Sequence, residues 1–205
     1  PETSYELELG LDAGFASDRA SLELTYFDGY TKDAILSRQA PPSEGFPGLQ
    51  FFNAGRVNRN GVELLLRGQA VRTERVGLEL TLSGSTNNYE IADLGPNTQR
   101  VSLSGQIQHV EGYAPGAWWD RRVVAAERNA AGQAVNLRCD DGRGGQVACA
   151  GAPRVFLGNS VPTREGSFTA ALTLLRDLRV TAFFDHRGGY KKLDGNRRVR
   201  CNLFS

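Results

Sequence analysis

Tyr5–Phe15 reads YELELGLDAGF, with an apolar residue at every second position. Tyr5, Leu7, Leu9, Leu11, Ala13 and Phe15 form the apolar set, and Glu6, Glu8, Gly10 and Asp12 interleave. Successive side chains of a strand point to opposite faces, so this spacing gives one apolar face and one polar face. A helix would scatter the same leucines around its circumference. The segment is a β-strand.

The same period recurs outward along the chain. Ala20, Leu22, Leu24 and Tyr26 oppose Ser21, Glu23 and Thr25, and β-favouring residues continue to about Leu36. Val62, Leu64 and Leu66 oppose Arg59, Glu63 and Arg67 within Val57–Gly68, and Val76, Leu78, Leu80 and Leu82 oppose Gly77, Glu79, Thr81 and Ser83. Weaker strands are expected at Arg100–His109 and at Ala117–Ala126, the latter carrying Trp118 and Trp119. Phe168, Ala170, Leu172 and Leu174 form a seventh strand. Leu178, Val180, Ala182 and Phe184, opposed by Arg179, Thr181 and Asp185, form an eighth.

The connections alternate in length. Ala16–Arg19, Gln69–Arg75, Gly112–Gly116 and Arg176–Asp177 are short, whereas 37–56, 92–97, 127–163 and the segment after 187 are irregular. In an up-and-down meander all short turns fall on one rim and all long loops on the other. Transmembrane β-barrels have this asymmetry, and their strands of about 9–11 residues exceed the globular average. Aromatics such as Tyr26, Phe27, Tyr30, Tyr89, Trp118 and Trp119 fall toward strand ends, where interfacial girdles are expected. The expected fold is all-β: an antiparallel meander of about 7–8 strands, part of a larger transmembrane barrel.

Composition narrows the function. Lys and Arg number 24 against 23 Asp and Glu, so the basic excess of a nucleic-acid binder is absent. No run of about 18 apolar residues occurs, which excludes a transmembrane helix but not a barrel. A mean hydropathy of -0.37 is compatible with either a soluble protein or a barrel. The chain opens at Pro1 and contains no methionine, so it is expected to be a piece of a longer protein.

Asn53–Leu66, NAGRVNRNGVELLL, resembles the C-terminal barrel of TonB-dependent outer-membrane receptors, in which Asn-Ala-Gly leads into an Asn-x-Gly-Val-Glu-Leu strand. Ser21–Leu36, SLELTYFDGYTKDAIL, resembles the strand that precedes it in that family. Phe156–Tyr190 is similar to the Leu-Gly-Asn-x-x-Pro, strand, turn, strand, Gly-Gly-Tyr succession of the SusC/RagA-like branch. The resemblance covers most of the chain, in order. It implies residence in the outer membrane of a Gram-negative-type bacterium, within a barrel of about 22 strands closed by a plug. It also implies energy-coupled uptake of a large nutrient: an oligosaccharide, a peptide or a metal chelate. The implied partners are outer-membrane lipid, the plug and remaining barrel, TonB and a SusD-like surface lipoprotein. Residues 1–205 are expected to form part of one barrel domain, with the plug and TonB box absent from them. The alternative is a secreted or surface β-sandwich that binds carbohydrate or protein, in which the leucines would pack between two sheets.

No catalytic constellation is expected. His109 and His186 lie in separate strands without neighbouring ligands, and zinc needs three or four. Asp140–Asp141–Gly142 lacks the spaced oxygen ligands of a calcium loop, and Gly142–Gln146 lacks the Gly-Lys-Ser/Thr ending of a phosphate loop. No serine sits in a nucleophile elbow. The reading is therefore not an enzyme, with no cofactor and no metal. Cys139 and Cys149 bracket a glycine-rich segment and are expected to close a small loop disulfide, against the alternative of two unpaired thiols. Cys201 would find any partner beyond Ser205. The polar-face groups Glu6, Glu8, Asp12, Arg59, Glu63, Arg67, Glu79, Arg179 and Asp185 are expected to point into the lumen, as hydrated ion pairs or as contacts to plug and substrate.

Overall fold

Backbone pairing decides which segments form the wall. The computed structural model describes residues 2–33, 35–39, 45, 49–53, 55–95, 98–175 and 177–203. The chain begins with β1 (Thr3–Phe15) and β2 (Ala20–Lys32), followed by a small hairpin of β3 (Ile35–Gln39) and β4 (Leu49–Asn53). Two long strands follow, β5 (Arg56–Arg72) and β6 (Val76–Asp93). Next comes an excursion holding β7 (Arg100–Ser104), β8 (Ile107–Val110), β9 (Ala117–Asp120), β10 (Val123–Arg128), β11 (Ala134–Asp140), β12 (Gln146–Ala148) and β13 (Val155–Gly158). The wall resumes with β14 (Arg164–Leu174) and β15 (Leu178–Gly188), and helix α1 (Gly195–Leu203) follows.

The wall is one antiparallel sheet in the order β1-β2-β5-β6-β14-β15, a meander in chain order. Its strands run 11 to 18 residues, enough to cross a bilayer when tilted. It holds six strands, not the expected seven or eight. The segments expected as the fifth and sixth leave it, and β14 pairs directly with β6 along its full length. Arg100–His109 and Ala117–Ala126 instead supply short strands to a four-stranded sheet, β13-β9-β8-β7, and a three-stranded sheet, β10-β11-β12. The physical reason lies in Ala117 and Trp119, which bury their alternating face in a local core. A four-residue strand packed this way needs no lipid and cannot span one.

The rims are corrected accordingly. Short turns at 16–19, 73–75 and 175–177 share one rim, with Arg176 outside the described residues. Gly112–Gly116 lies on the opposite rim, inside the excursion from 94 to 163. The stretches expected as irregular, 37–56 and 127–163, contain strands β3, β4, β11, β12 and β13; Pro41, Pro42 and Pro47 lie outside the described residues.

Register carries the leucines onto one face, since residues paired across an antiparallel sheet project to the same side. Ala13, Leu22, Leu66, Leu82, Phe168 and Phe184 make one row through all six strands. Phe15, Ala20, Gly68, Leu80, Ala170 and Ala182 make the next. These apolar side chains are open: Leu7, Leu9 and Leu11 are 57%, 60% and 54% exposed. The sandwich alternative required them to be packed between sheets, and they are not.

Toward the long-loop rim the apolar band ends on β2, β5 and β6, while β1 carries it one row further with Leu7 opposite Asp28. Asp28, Asn60 and Asn88 share one row, with an Asn88 Nδ2–H donated to Asn60 Oδ1 at 3.2 Å. From Val76 to Gly84 the band runs roughly 27 Å along β6, or about 20 Å along the normal of a barrel tilted by ~40°. Tyr26 sits at its upper edge. Above it Tyr30 lies at a tilt beside Tyr5, with ring centroids 5.1 Å apart, and under the Arg56 guanidinium at 3.9 Å. Only part of the expected aromatic girdle is on this face: Phe27 and Tyr89 pair into polar rows, and Trp118 and Trp119 lie off the wall.

Leu80 lies mid-row on the apolar face, so Leu80→Arg should cost about 2–4 kcal/mol if hydrocarbon covers it. The full-length protein carrying this change should show reduced outer-membrane yield and heat-modifiable band intensity, whereas Thr81→Arg on the polar face should assemble as wild type.

Candidate functional site

The polar face is built from the residues between the leucines, and its charges are clasped across strands. Glu6, Gly29, Arg59 and Tyr89 form a row, and Arg59 reaches over Gly29 to pair with Glu6. Gly29 is required there: a Cβ would lie 2.4 Å from the Tyr5 carbonyl oxygen and 3.4 Å from Arg59 Nε. Arg67 pairs with Glu23 at 3.4 Å, and Arg179 spans β14 to reach Glu79 at 3.0 Å. Arg187 pairs with Glu165 at 3.3 Å and with Asp185 at 3.6 Å. Each pair is partly exposed and contributes about 0.2–1 kcal/mol, so these contacts orient side chains more than they hold the sheet.

The expected polar-face set is thus brought together on one side. Arg59, Arg67 and Arg179 pair with carboxylates, Asp185 pairs with Arg187, and Glu8, Asp12 and Glu63 take part in no ion pair among the described residues. The face is net acidic. A hollow of about 470 Å³ opens on it, with Glu23, Glu63, Glu165, Asp185 and Arg187 around Ser83 and Ser167, whose hydroxyls are 2.8 Å apart. Phe183 stands at its edge, 63% exposed. Glu165 and Arg187 were not singled out from sequence, and Glu23 was named only as facing opposite the leucines, although their register with Glu63 and Asp185 follows from the strand alternation.

The second element is the excursion above β6. Its base continues the wall: Ile91 N–H donates to the Tyr113 carbonyl at 2.9 Å, and Gly112 N–H to the Ile91 carbonyl at 2.8 Å. Above this, Tyr113, Trp119 and Phe156 form an aromatic core with centroids 4.8 to 5.8 Å apart, and the Arg100 guanidinium lies 4.7 Å over Trp119. Trp118 Nε1–H donates to the Lys191 carbonyl at 2.9 Å and ties the module to the chain after β15. Further out, Cys139 of β11 and Cys149 are bonded, with Cα atoms 4.9 Å apart, and Cys139 is fully buried. Arg122 links this outer sheet to the core by donating to the Phe156 carbonyl at 2.6 Å.

Two titratable groups in the module are displaced from their ordinary range. Burial holds the His109 imidazole below the usual histidine value, and its Nδ1 accepts the Gly116 N–H at 3.1 Å, so the neutral ring carries its proton on Nε2. Backbone N–H groups of Arg143 and Gly145 hold the Asp141 carboxyl below its usual value. Asp140 and Asp141 thus cap the Gly142–Gly145 tip with their own backbone. Among the described residues no group of three or more His, Cys, Asp or Glu is placed to hold a metal.

An exposed apolar band, a charged opposite face and elaborated loops on one rim are the parts expected of an outer-membrane barrel wall. Residues 1–191 match the family described as TonB dependent receptor-like, beta-barrel. The chain belongs to this family. It is 34% identical over 94 residues to TonB-dependent receptor P26 of Formosa agariphila, a match covering 46% of this chain and 9% of that receptor. The chain also superposes on a chain of the RagAB peptide transporter with a TM-score of 0.72 at 20% identity, covering 92% of this chain and 21% of that one. The RagAB peptide importer in its open-open state gives 0.76 at 18% identity, covering 91% and 20%. These structures share the fold. The chain spans a small part of the length of each relative it matches. The six-stranded sheet is thus part of a TonB-dependent receptor-like barrel wall.

Two outcomes follow for the rim module. His109 is neutral in the folded state at a pH where the unfolded side chain, with a pKa of about 6.5, is already protonated. The module therefore has its full stability above about pH 6.5, loses stability as pH falls through that value, and levels off below the lowered folded value. Amide exchange around Gly116 should accelerate from pH 7.5 to pH 5.5 after correction for intrinsic rates, and His109→Gln should flatten the dependence; an unchanged dependence in the variant would contradict it. Separately, peptide mapping of non-reduced protein from freshly isolated membranes should yield Cys139 and Cys149 in one cross-linked species. Alkylation of both thiols without reductant would exclude the bridge.

Proposed function

We propose that this chain is a wall segment and ligand-facing rim of an outer-membrane transporter of the SusC/RagA-like branch, taking up a nutrient too large for porins. The observation that carries the reading is the single six-stranded sheet with one exposed apolar face and a charged, hollowed opposite face. The RagAB structures that share the fold are named a peptide transporter and a peptide importer. A peptide is accordingly the favoured cargo among peptide, oligosaccharide and metal chelate. The net acidic polar face fits basic groups on the cargo or on a plug.

In this reading residues 1–205 belong to one barrel domain in the outer membrane of a Gram-negative-type bacterium. Energy reaches the cargo through a plug and TonB, and a SusD-like surface lipoprotein meets the long-loop rim. The contribution is positioning and passage, not covalent chemistry. Ligand sites of this kind are assembled from groups converging from several sides, and this chain offers one side of the lumen together with the module at 94–163. The Cys139–Cys149 bond keeps the outer sheet of that module in one shape while exposed to an oxidising exterior.

The fold of the module indicates a clean deletion. Asp120 pairs with Val155, so residues 122–153 can be replaced by Asn-Gly while β9 and β13 stay joined as a hairpin. In the full-length receptor this deletion should preserve outer-membrane yield and lower uptake of labelled peptide or oligosaccharide by about tenfold or more, a loss of roughly 1.4 kcal/mol of recognition. Unchanged uptake of every cargo class would remove the module from substrate selection, and loss of assembly would assign it to folding.

A further inference from the structure

Near the short-turn rim the apolar face is notched. Ala20 pairs with Gly68 and Gly68 with Leu80, so the row there carries little side chain in β2 and β5. One residue on, the register slips between Gln69 and Val71, leaving Ala70 as an extra residue in β5. Such a bulge bends the strand and sharpens its twist. Leu66, Leu82 and Phe168 rise beside the small residues, and the notch encloses about 450 Å³. Its lining is mostly apolar; Gln69 and Arg67 also border it, the Arg67 guanidinium being paired with Glu23, and Arg19 sits exposed at the rim end. One guanidinium N–H of Arg19 donates to the Gln69 carbonyl at 3.2 Å. A guanidinium has five such donors, and among the described residues no carboxylate is ion-paired with it.

We propose that this notch is a binding site for one glycerophospholipid of the leaflet on the short-turn side, with an acyl chain in the groove and its phosphate on Arg19. The proposal rests on the reading that the apolar face meets the bilayer. The notch continues that face, so hydrocarbon is what covers it. A chain passing over a hollow without entering loses the dispersion contacts of its lining, and a chain that enters regains them. The volume lies within the range of about 300–1,000 Å³ typical of small-molecule sites. The charge sits where a headgroup of that leaflet lies, and a guanidinium binds phosphate through paired charge-assisted hydrogen bonds.

The test uses the full-length receptor in mild detergent, titrated with palmitoyl-oleoyl phosphatidylethanolamine and phosphatidylglycerol and followed by native mass spectrometry. Wild type should hold one phospholipid more tightly than the rest. Ala20→Phe, which fills the groove, should abolish that binding, and Arg19→Gln should weaken it about tenfold. Leu24→Ala, on the same face outside the notch, should leave it unchanged. Equal retention in wild type, Arg19→Gln and Ala20→Phe overturns the proposal, as does a variant that changes the oligomer mass and not the lipid count, which would assign the notch to a second copy. If Ala20→Phe fails to assemble, Arg19→Gln decides alone. A receptor that stays soluble and monodisperse without detergent would instead overturn the underlying reading of the face.

Discussion

The constraint from which the rest follows is that a backbone in hydrocarbon must satisfy its own hydrogen bonds. Water is absent there, so every wall strand needs a partner on each side over the whole depth of the bilayer. Continuous pairing from β1 to β15, with register shifts only in the β5–β6 pair, gives the inner strands β2, β5, β6 and β14 a partner on each side. It also explains why β14 returns to β6 after so long a detour. The excursion between them builds its own small sheets outside the band, where irregular backbone can be solvated, and the wall closes beneath it as though the detour were a turn.

Once register is set, side-chain chemistry is divided by parity alone. A slip of one residue would exchange Leu80 for Thr81 across the whole sheet. The leucine rows and the arginine–carboxylate clasps are therefore one fact seen from two sides. The clasps add little energy each, but by bridging over a neighbouring strand, as Arg59 does over Gly29 and Arg179 over β14, they add a polar check on the same register. On β2, β5 and β6 the row of Asp28, Asn60 and Asn88 marks where that division ends, because above it polar residues such as Asn58 and Glu90 take the parity the leucines held.

Much of this was legible in sequence, for a physical reason. Strands β1, β2, β5, β6, β14 and β15 each present an apolar face and a polar face along their length, so their alternation is written over ten or more residues. The clustering of polar-face charges followed from the same period. Assigning Ala117–Ala126 to the wall failed because a four-residue strand with Ala117 and Trp119 buried in a local core alternates in the same way as one facing lipid. Alternation reports a half-buried strand; it does not say what buries it. The Gly112–Gly116 turn was misplaced by the same error, since one miscounted strand moves every later turn to the other rim. The bulge at Gln69–Val71 left no mark, because Ala70 and Gly68 are neutral to the period.

A wall standing in a bilayer sets Leu80 and its row against hydrocarbon and Thr81 and its row against an aqueous lumen. Spin labels placed singly at 78 through 82 of the full-length receptor in lipid vesicles test it most directly. Labels at 78, 80 and 82 should be accessible to dissolved oxygen and shielded from a water-soluble nickel chelate, with the opposite at 79 and 81. Uniform accessibility to the chelate along all five positions, or the reverse parity, would contradict it.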